Sequence, residues 1–282
     1  LNATVLPSSI PTILTVHDLS WIRLPECFSP VTRAWHKLIS PRRLLNNATR
    51  IITPTESIKQ EVSDMFMRPL DQIRAIHHGV DPIFSPLQHA TDHGIRSRHR
   101  LPKRYALFVG TLEPRKNIAG LLEGVRRYRE ESGDELHVVL AGKFGWNTHE
   151  LKRLFWDPKI RPWTHPLYFV RNTDRPALYR NASVLLWPSF YEGFGLPILE
   201  AMACGLPVIT GNCNALVEVT GGSALHINPS FPSEITAALK GILQSHALRE
   251  SLRNQALLRA KHFSWQKTAE ETQKVFHATV SR

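Results

Sequence analysis

Pro188-Ser189-Phe190-Tyr191-Glu192-Gly193-Phe194-Gly195-Leu196-Pro197-Ile198-Leu199-Glu200-Ala201-Met202-Ala203-Cys204-Gly205 follows the apolar run Val184–Trp187. A buried strand runs into a Gly-Phe-Gly turn. Pro197 then suits the first helical position, where a missing N–H leaves nothing unpaired, and Gly205 supplies the stop. Glycines ahead of a helix let backbone N–H groups approach a phosphate closely, and the helix N-terminus favours negative charge. Glu192 falls in the turn, free to accept hydrogen bonds from sugar hydroxyls. Glu200, eight positions on, falls on the short helix, within reach of another part of the same ligand. Spacing alone fits equally well a packed turn with Glu200 as a surface charge.

Working outward, short apolar runs alternate with helical patterns, which predicts repeated βα units and a parallel sheet. Tyr105–Val109 is the first strand of the longer half. It is followed by a helix whose Ile118, Leu121, Leu122, Val125 and Tyr128 keep helical spacing. Further strands are expected at Leu136–Ala141, Leu167–Val170, Val184–Trp187, Pro207–Thr210 and Leu225–Ile227, and their continuous apolarity implies burial on both faces. The shorter half offers Pro11–Val16, Arg50–Thr53 and Ile73–Ile76. There Ser29-Pro30 opens a helix through Trp35, Leu38 and Ile39.

The polar stretch between the halves reads as a linker. Its His89 and His93 have zinc-like spacing, but the neighbouring Asp92 and Gly94 and the lack of a nearby cysteine favour a solvated connector. The expected architecture is α/β: two Rossmann-like αβα domains facing a cleft, with ligands at strand C-termini. The divisions are 1–88, a linker at 89–104, 105–262, and a helix over 263–282.

The 282 residues carry 35 Lys+Arg against 24 Asp+Glu, a formal charge of +11. Fourteen basic and eight acidic residues precede position 105, and 21 and 16 follow it, so no polybasic tail concentrates the excess. A phosphate-bearing small ligand or an anionic surface fits this spread as well as nucleic acid does. Arg33, Lys37, Arg42 and Arg43 form a basic stretch suited to anionic lipid or to a solvated helix face. Three cysteines without Cys-x-x-Cys spacing point to a reducing cytoplasm. The opening Leu1-Asn2-Ala3-Thr4 lacks the basic start and apolar run of a signal peptide. No Asp-x-Asp, Walker A, dinucleotide fingerprint or Gly-x-Ser-x-Gly occurs.

The segment from Glu192 to Glu200, two glutamates around a Gly-Phe-Gly-Leu-Pro turn, resembles the signature of retaining glycosyltransferases of family 4 in the GT-B class. Gly110-Thr111-Leu112-Glu113-Pro114-Arg115-Lys116-Asn117, Leu178-Tyr179-Arg180-Asn181-Ala182 and Phe263-Ser264-Trp265 match family patterns in the same order. The resemblance spans nearly the whole chain and is closest to mannosyltransferase-like members, which commonly use GDP-mannose. It implies transfer of a hexose from a GDP- or UDP-linked sugar to a glycan or lipid-linked acceptor. No metal or nucleic acid is expected, and the setting is cytoplasmic, at the inner membrane face where lipid is contacted. A sugar-nucleotide epimerase or phosphorylase shares the architecture, and a basic nucleic-acid-binding protein would share the charge. Relatives have a larger first domain, so the N-terminal domain is expected to be incomplete, leaving acceptor recognition and full activity open.

By the same resemblance, Arg115 and Lys116 neutralise the departing diphosphate, whose charge grows as the glycosidic bond breaks. Glu192 holds sugar hydroxyls, Glu200 the ribose, and His17 helps orient the donor, with Asp18 positioning the imidazole or capping the loop. Gly110, Thr111, Gly193, Phe194, Gly195 and Leu196 line the donor. Many relatives carry an additional Arg where this chain has Thr111, which shifts charge compensation onto Arg115 and Lys116. His78 replaces the usual Asn of an Asn-Gly-Val-Asp turn, a turn read as needing Gly79. Lys143 is expected to meet phosphate, and Trp146 either covers the nucleotide or closes a hydrophobic edge. Glu218 reads as a helix-start charge.

Overall fold

Two parallel sheets organise the chain in a computed structural model that describes residues 10–39, 41–89, 92 and 94–280. Leu1–Thr4, His93 and the side chain of Lys37 lie outside the described residues.

The first sheet is built from β1 (Ile13–Thr15), β2 (Arg50–Thr53) and β3 (Ile73–Ala75), paired in that order with Ile13 opposite Arg50 and Ile51 opposite Ile73. Between β1 and β2 run α1 (Ser20–Arg23), α2 (Pro30–Ile39) and α3 (Pro41–Asn47), and α4 (Glu56–Phe66) joins β2 to β3. Ser29 Oγ accepts the Thr32 amide at 3.1 Å and so caps α2. Val31 and Leu38 on that helix are 79% and 84% exposed.

After α5 (Ile95–Arg98), the second unit runs β4 (Tyr105–Val109), α6 (Ile118–Ser132), β5 (His137–Ala141), α7 (His149–Phe155), β6 (Thr164–Leu167), α8 (Arg175–Asn181), β7 (Val184–Trp187), α9 (Leu196–Ala203), β8 (Val208–Gly211), α10 (Asn214–Thr220) and β9 (Leu225–Ile227). Then follow α11 (Pro232–Gln244), α12 (His246–Ala260) and α13 (Trp265–Val280). Its strands lie in the order β6-β5-β4-β7-β8-β9, all parallel. The chain first adds strands outward from β4, then returns to β7 on the other side. The loops after β4 and β7 therefore diverge to opposite faces and leave a crevice between them, the position where open α/β sheets bind ligands. Every residue of β4 and β7 is buried, as strands covered on both faces require.

One expected strand moves. Leu167–Val170 is not a strand: the pairing segment is Thr164–Leu167, and Tyr168 and Phe169 are exposed. The apolar reading passed over His165 and Pro166. Because β6 is an edge strand, a proline that cannot donate to the ladder is tolerated there.

Residues 89–104 do not form a solvated connector throughout. Ile95 is fully buried, Asp92 pairs with Arg180 at 2.5 Å, and Asp174 of the second unit receives Arg98 and His99. The polar composition is spent on ion pairs that pin the segment to α8 and the residues before it.

The final helix returns to the first sheet. Thr268 Oγ1 donates to the His77 carbonyl at 2.7 Å, Arg74 pairs with Glu271, and Val275 is buried with Ile52 and Ile76. Gly79 marks this junction for a reason other than a turn: a Cβ there would stand 2.0 Å from the backbone N of Trp265. Only a residue without a side chain lets α13 start this close. We expect Gly79→Ala to lower unfolding free energy by about 1–3 kcal/mol, read as an earlier thermal transition by circular dichroism.

Candidate active site

The crevice at the strand-order reversal is lined by the loop Gly110–Asn117 after β4 and the turn Pro188–Gly195 after β7. Pro114–Lys116 forms a single 3-10 turn, and Asn117 in left-handed conformation caps α6 by accepting the Gly120 amide. That turn throws Arg115 and Lys116 back across the crevice onto Glu192. Arg115 Nη1 donates to Glu192 Oε2 at 2.8 Å and to the Tyr191 carbonyl at 2.8 Å. Its Nη2 donates to Glu113 Oε1 at 2.8 Å. Lys116 Nζ donates to Glu192 Oε1 and lies 4.4 Å from the centre of the Trp187 ring. Trp187 Nε1 donates to the same carboxylate oxygen at 3.2 Å.

Glu192 is therefore not free, as its place in the turn suggested. It is buried, with both oxygens taken by two cations and an indole. Burial raises the proton affinity of its carboxyl, but Lys116 and Arg115 reverse this and hold it at about 2, against an ordinary 4.5. Burial pushes the Lys116 ammonium below its usual range, partly opposed by Glu192. Two cations and the two carboxylates of Glu113 and Glu192 form a formally neutral quartet. Cations anchored in this way suit negative charge that develops beside them during a reaction.

The remaining residues fall into separate groups. Both oxygens of Glu200 are occupied, by Arg175 and by the Tyr179 hydroxyl at 2.6 Å, and burial raises its carboxyl. Asp18 Oδ1 accepts the Ser20 amide and hydroxyl at 2.9 and 2.6 Å and so starts α1. The exposed His17 ring lies 5.9 Å from His78. The His17 carbonyl comes so close to Gly193 that a Cβ on Gly193 would stand 1.9 Å from it.

Gly195 has φ +93°, Gly110 has φ +152°, and Thr111 is half-buried behind Gly145. Phe194 is buried edge-on to His78 and Phe263, whereas Leu196 is exposed and is itself the first residue of α9, one position ahead of Pro197. The Lys143 side chain is exposed, and its carbonyl accepts the Leu112 amide. Trp146 stacks on Phe28 at 5.8 Å and donates to the Cys27 carbonyl, closing an edge between the two halves.

Sequence reading missed Glu113, Trp187, Arg175 and Tyr179. A carboxylate two positions before the cations and a Trp ending an apolar strand were the available signals.

The family profile of Glycosyl transferases group 1 matches residues 93–259. The chain belongs to the group 1 glycosyl transferases. The Glycosyltransferase Family 4 profile matches residues 2–84 of this transferase. It is 34% identical over 261 residues to the O-antigen chain mannosyltransferase B of Escherichia coli, covering 92% of this chain and 68% of that protein. It also superposes on the sucrose-phosphate synthase of Thermosynechococcus elongatus with TM-score 0.79 and 21% identity, over 95% of this chain and 68% of that one. On Anabaena HepE, solved with UDP and glucose, the TM-score is 0.78 at 17% identity, over 95% and 71%. The fold is GT-B, and the protein is a glycosyl-transferring enzyme. Among the described residues, no helix is long and apolar enough to cross a membrane.

Because the Glu192 carboxyl binds its proton less readily in the folded chain, its stabilising contribution is complete above about 4.5 and is lost as pH falls toward 2. Removing one partner of a buried pair leaves a charge uncompensated, so Glu192→Gln should destabilise the fold by about 3 kcal/mol at neutral pH. That gap between the two proteins should close on acidification through the same window, measured by urea unfolding at stepped pH.

Proposed function

We propose that this transferase moves mannose from GDP-mannose to a glycan or lipid-linked saccharide with retention at the anomeric carbon. The single observation that carries the proposal is the quartet of Glu113, Arg115, Lys116 and Glu192 at the strand reversal. A nucleotide sugar breaks at the bond between the sugar and a diphosphate, and the departing diphosphate gains charge. Arg115 and Lys116 meet that charge, with the Gly193–Gly195 amides at the start of α9 beside them. As the diphosphate draws on the cations, Glu192 surrenders part of its hold on them and turns an oxygen to the sugar hydroxyls. Glu200, held by Arg175 and Tyr179, takes the ribose. Retention proceeds by attack on the face the diphosphate leaves, with the diphosphate accepting the acceptor's proton.

The name of the Escherichia coli relative supports mannose, and GDP follows as the usual carrier of that sugar. The HepE complex with UDP keeps UDP-linked donors in the comparison. The exposed Val31 and Leu38 beside Arg33, Arg42 and Arg43 support peripheral contact with an anionic membrane on the cytoplasmic side, close to a lipid-linked acceptor.

Titration calorimetry with GDP, UDP and ADP, and with their mannose and glucose conjugates, tests the donor. GDP binding at least tenfold tighter than UDP is expected, and the reverse order overturns the choice. Lys116→Ala is expected to lower kcat about a hundredfold, as loss of one preorganised donor does. A loss below threefold in steady-state transfer assays would remove Lys116 from the leaving-group role.

A further inference from the structure

Helix α4 begins, as every helix does, with amides that have no partner within the helix. Lys59 N makes the first helical bond, to the Thr55 carbonyl at 3.1 Å, and Ile58 N is capped by Thr55 Oγ1 at 3.3 Å. The amides of Glu56 and Ser57 are satisfied from the opposite half of the molecule. Glu218 Oε1 accepts the Glu56 amide at 2.8 Å, and Oε2 accepts the Ser57 amide at 2.9 Å. Oε1 also pairs with His77 Nε2 at 2.8 Å. One carboxylate on α10 thus completes a helix of the first unit.

The base of that carboxylate is fixed. Arg259 of α12 donates to the carbonyls of Glu218 and Val219 at 2.6 and 3.0 Å, holding α10 to its own unit. The far side of the cap leads to the reacting centre. The hydroxyl of Thr55 that receives Ile58 N also donates to the Gly193 carbonyl at 3.1 Å, one residue from Glu192. Gly193 is in turn pressed against the carbonyl of His17. Opening the cleft would strip two helix amides of their acceptors and free the Gly193 carbonyl at the same time.

We propose that Glu218 is a positioning residue: it caps α4 across the cleft and thereby couples closure to the seating of the Glu192-Gly193 turn against the His17 loop. The idea rests on the transferase reading above, because closure completes the site only when a donor occupies it. A carboxylate suits the task, since it offers two acceptors to two amides and its charge complements the helix N-terminus. Glu218→Gln keeps the shape but presents an NH2 to one of those amides.

The test uses the full chain labelled with nitrogen-15. In Glu218→Gln, amide exchange at Glu56 and Ser57 is expected to quicken at least tenfold, while Ile58 and Lys59, held by Thr55, keep their rates. In the same variant kcat for sugar transfer is expected to fall about tenfold, as loss of a charge-assisted hydrogen bond allows, with the Kd for GDP unchanged within twofold. A residue that served stability alone would lower the melting temperature without this separation of kcat from nucleotide binding. Unchanged exchange at Glu56 and Ser57 overturns the proposal, and so does faster exchange with full kcat. Failure of the wild-type chain to bind any nucleoside diphosphate would instead sink the functional reading, and the exchange data remain interpretable apart from it.

Discussion

A buried lysine and a part-buried arginine facing two buried carboxylates at the reversal of strand order set the character of this molecule. Such a cluster contributes little net stability, because the loss of hydration opposes the attraction between the charges. What it provides is position. Arg115 is held by three acceptors and Lys116 by a carboxylate and an aromatic face, so neither side chain wanders. Trp187, stacked on Phe108 at 4.9 Å inside the core, carries that order from the sheet to the charges. The chemistry at the crevice is thus anchored in the packing of β4 and β7.

The second constraint is closeness of approach between the halves. Where they meet, backbone faces backbone, and glycine is the residue that permits it at Gly193 against His17 and at Gly79 against Trp265. Hydrogen bonds then follow the same seam. Tyr191, adjacent to Glu192, accepts the Leu19 amide at 3.3 Å and donates to Glu61 at 3.1 Å, while its carbonyl receives Arg115. A residue of the turn after β7 is therefore tied to the first unit through its side chain and to the quartet through its backbone.

The parallel α/β architecture was legible from apolar runs that stay apolar on both faces, because strands buried beneath helices on each side carry no polar alternation. The Gly-Phe-Gly turn, the two glutamates and the cations after the first strand of the second unit were legible as local chemistry. Edge strand β6 was not, since Pro166 and His165 interrupt its pattern and only the position at the sheet edge makes them tolerable.

Sequence order by itself determined which residue types stand at the strand ends, and through them the class of chemistry. Which charge meets which was decided by the fold. Glu192 looked available in its turn and Glu218 looked like a helix-start charge, yet one is consumed by Arg115 and Lys116 and the other, well along α10, by a helix begun some 160 residues earlier. Partners so far apart in the chain leave no local signal, because hydrogen bonding depends on distances in space that only the packing of the two sheets fixes.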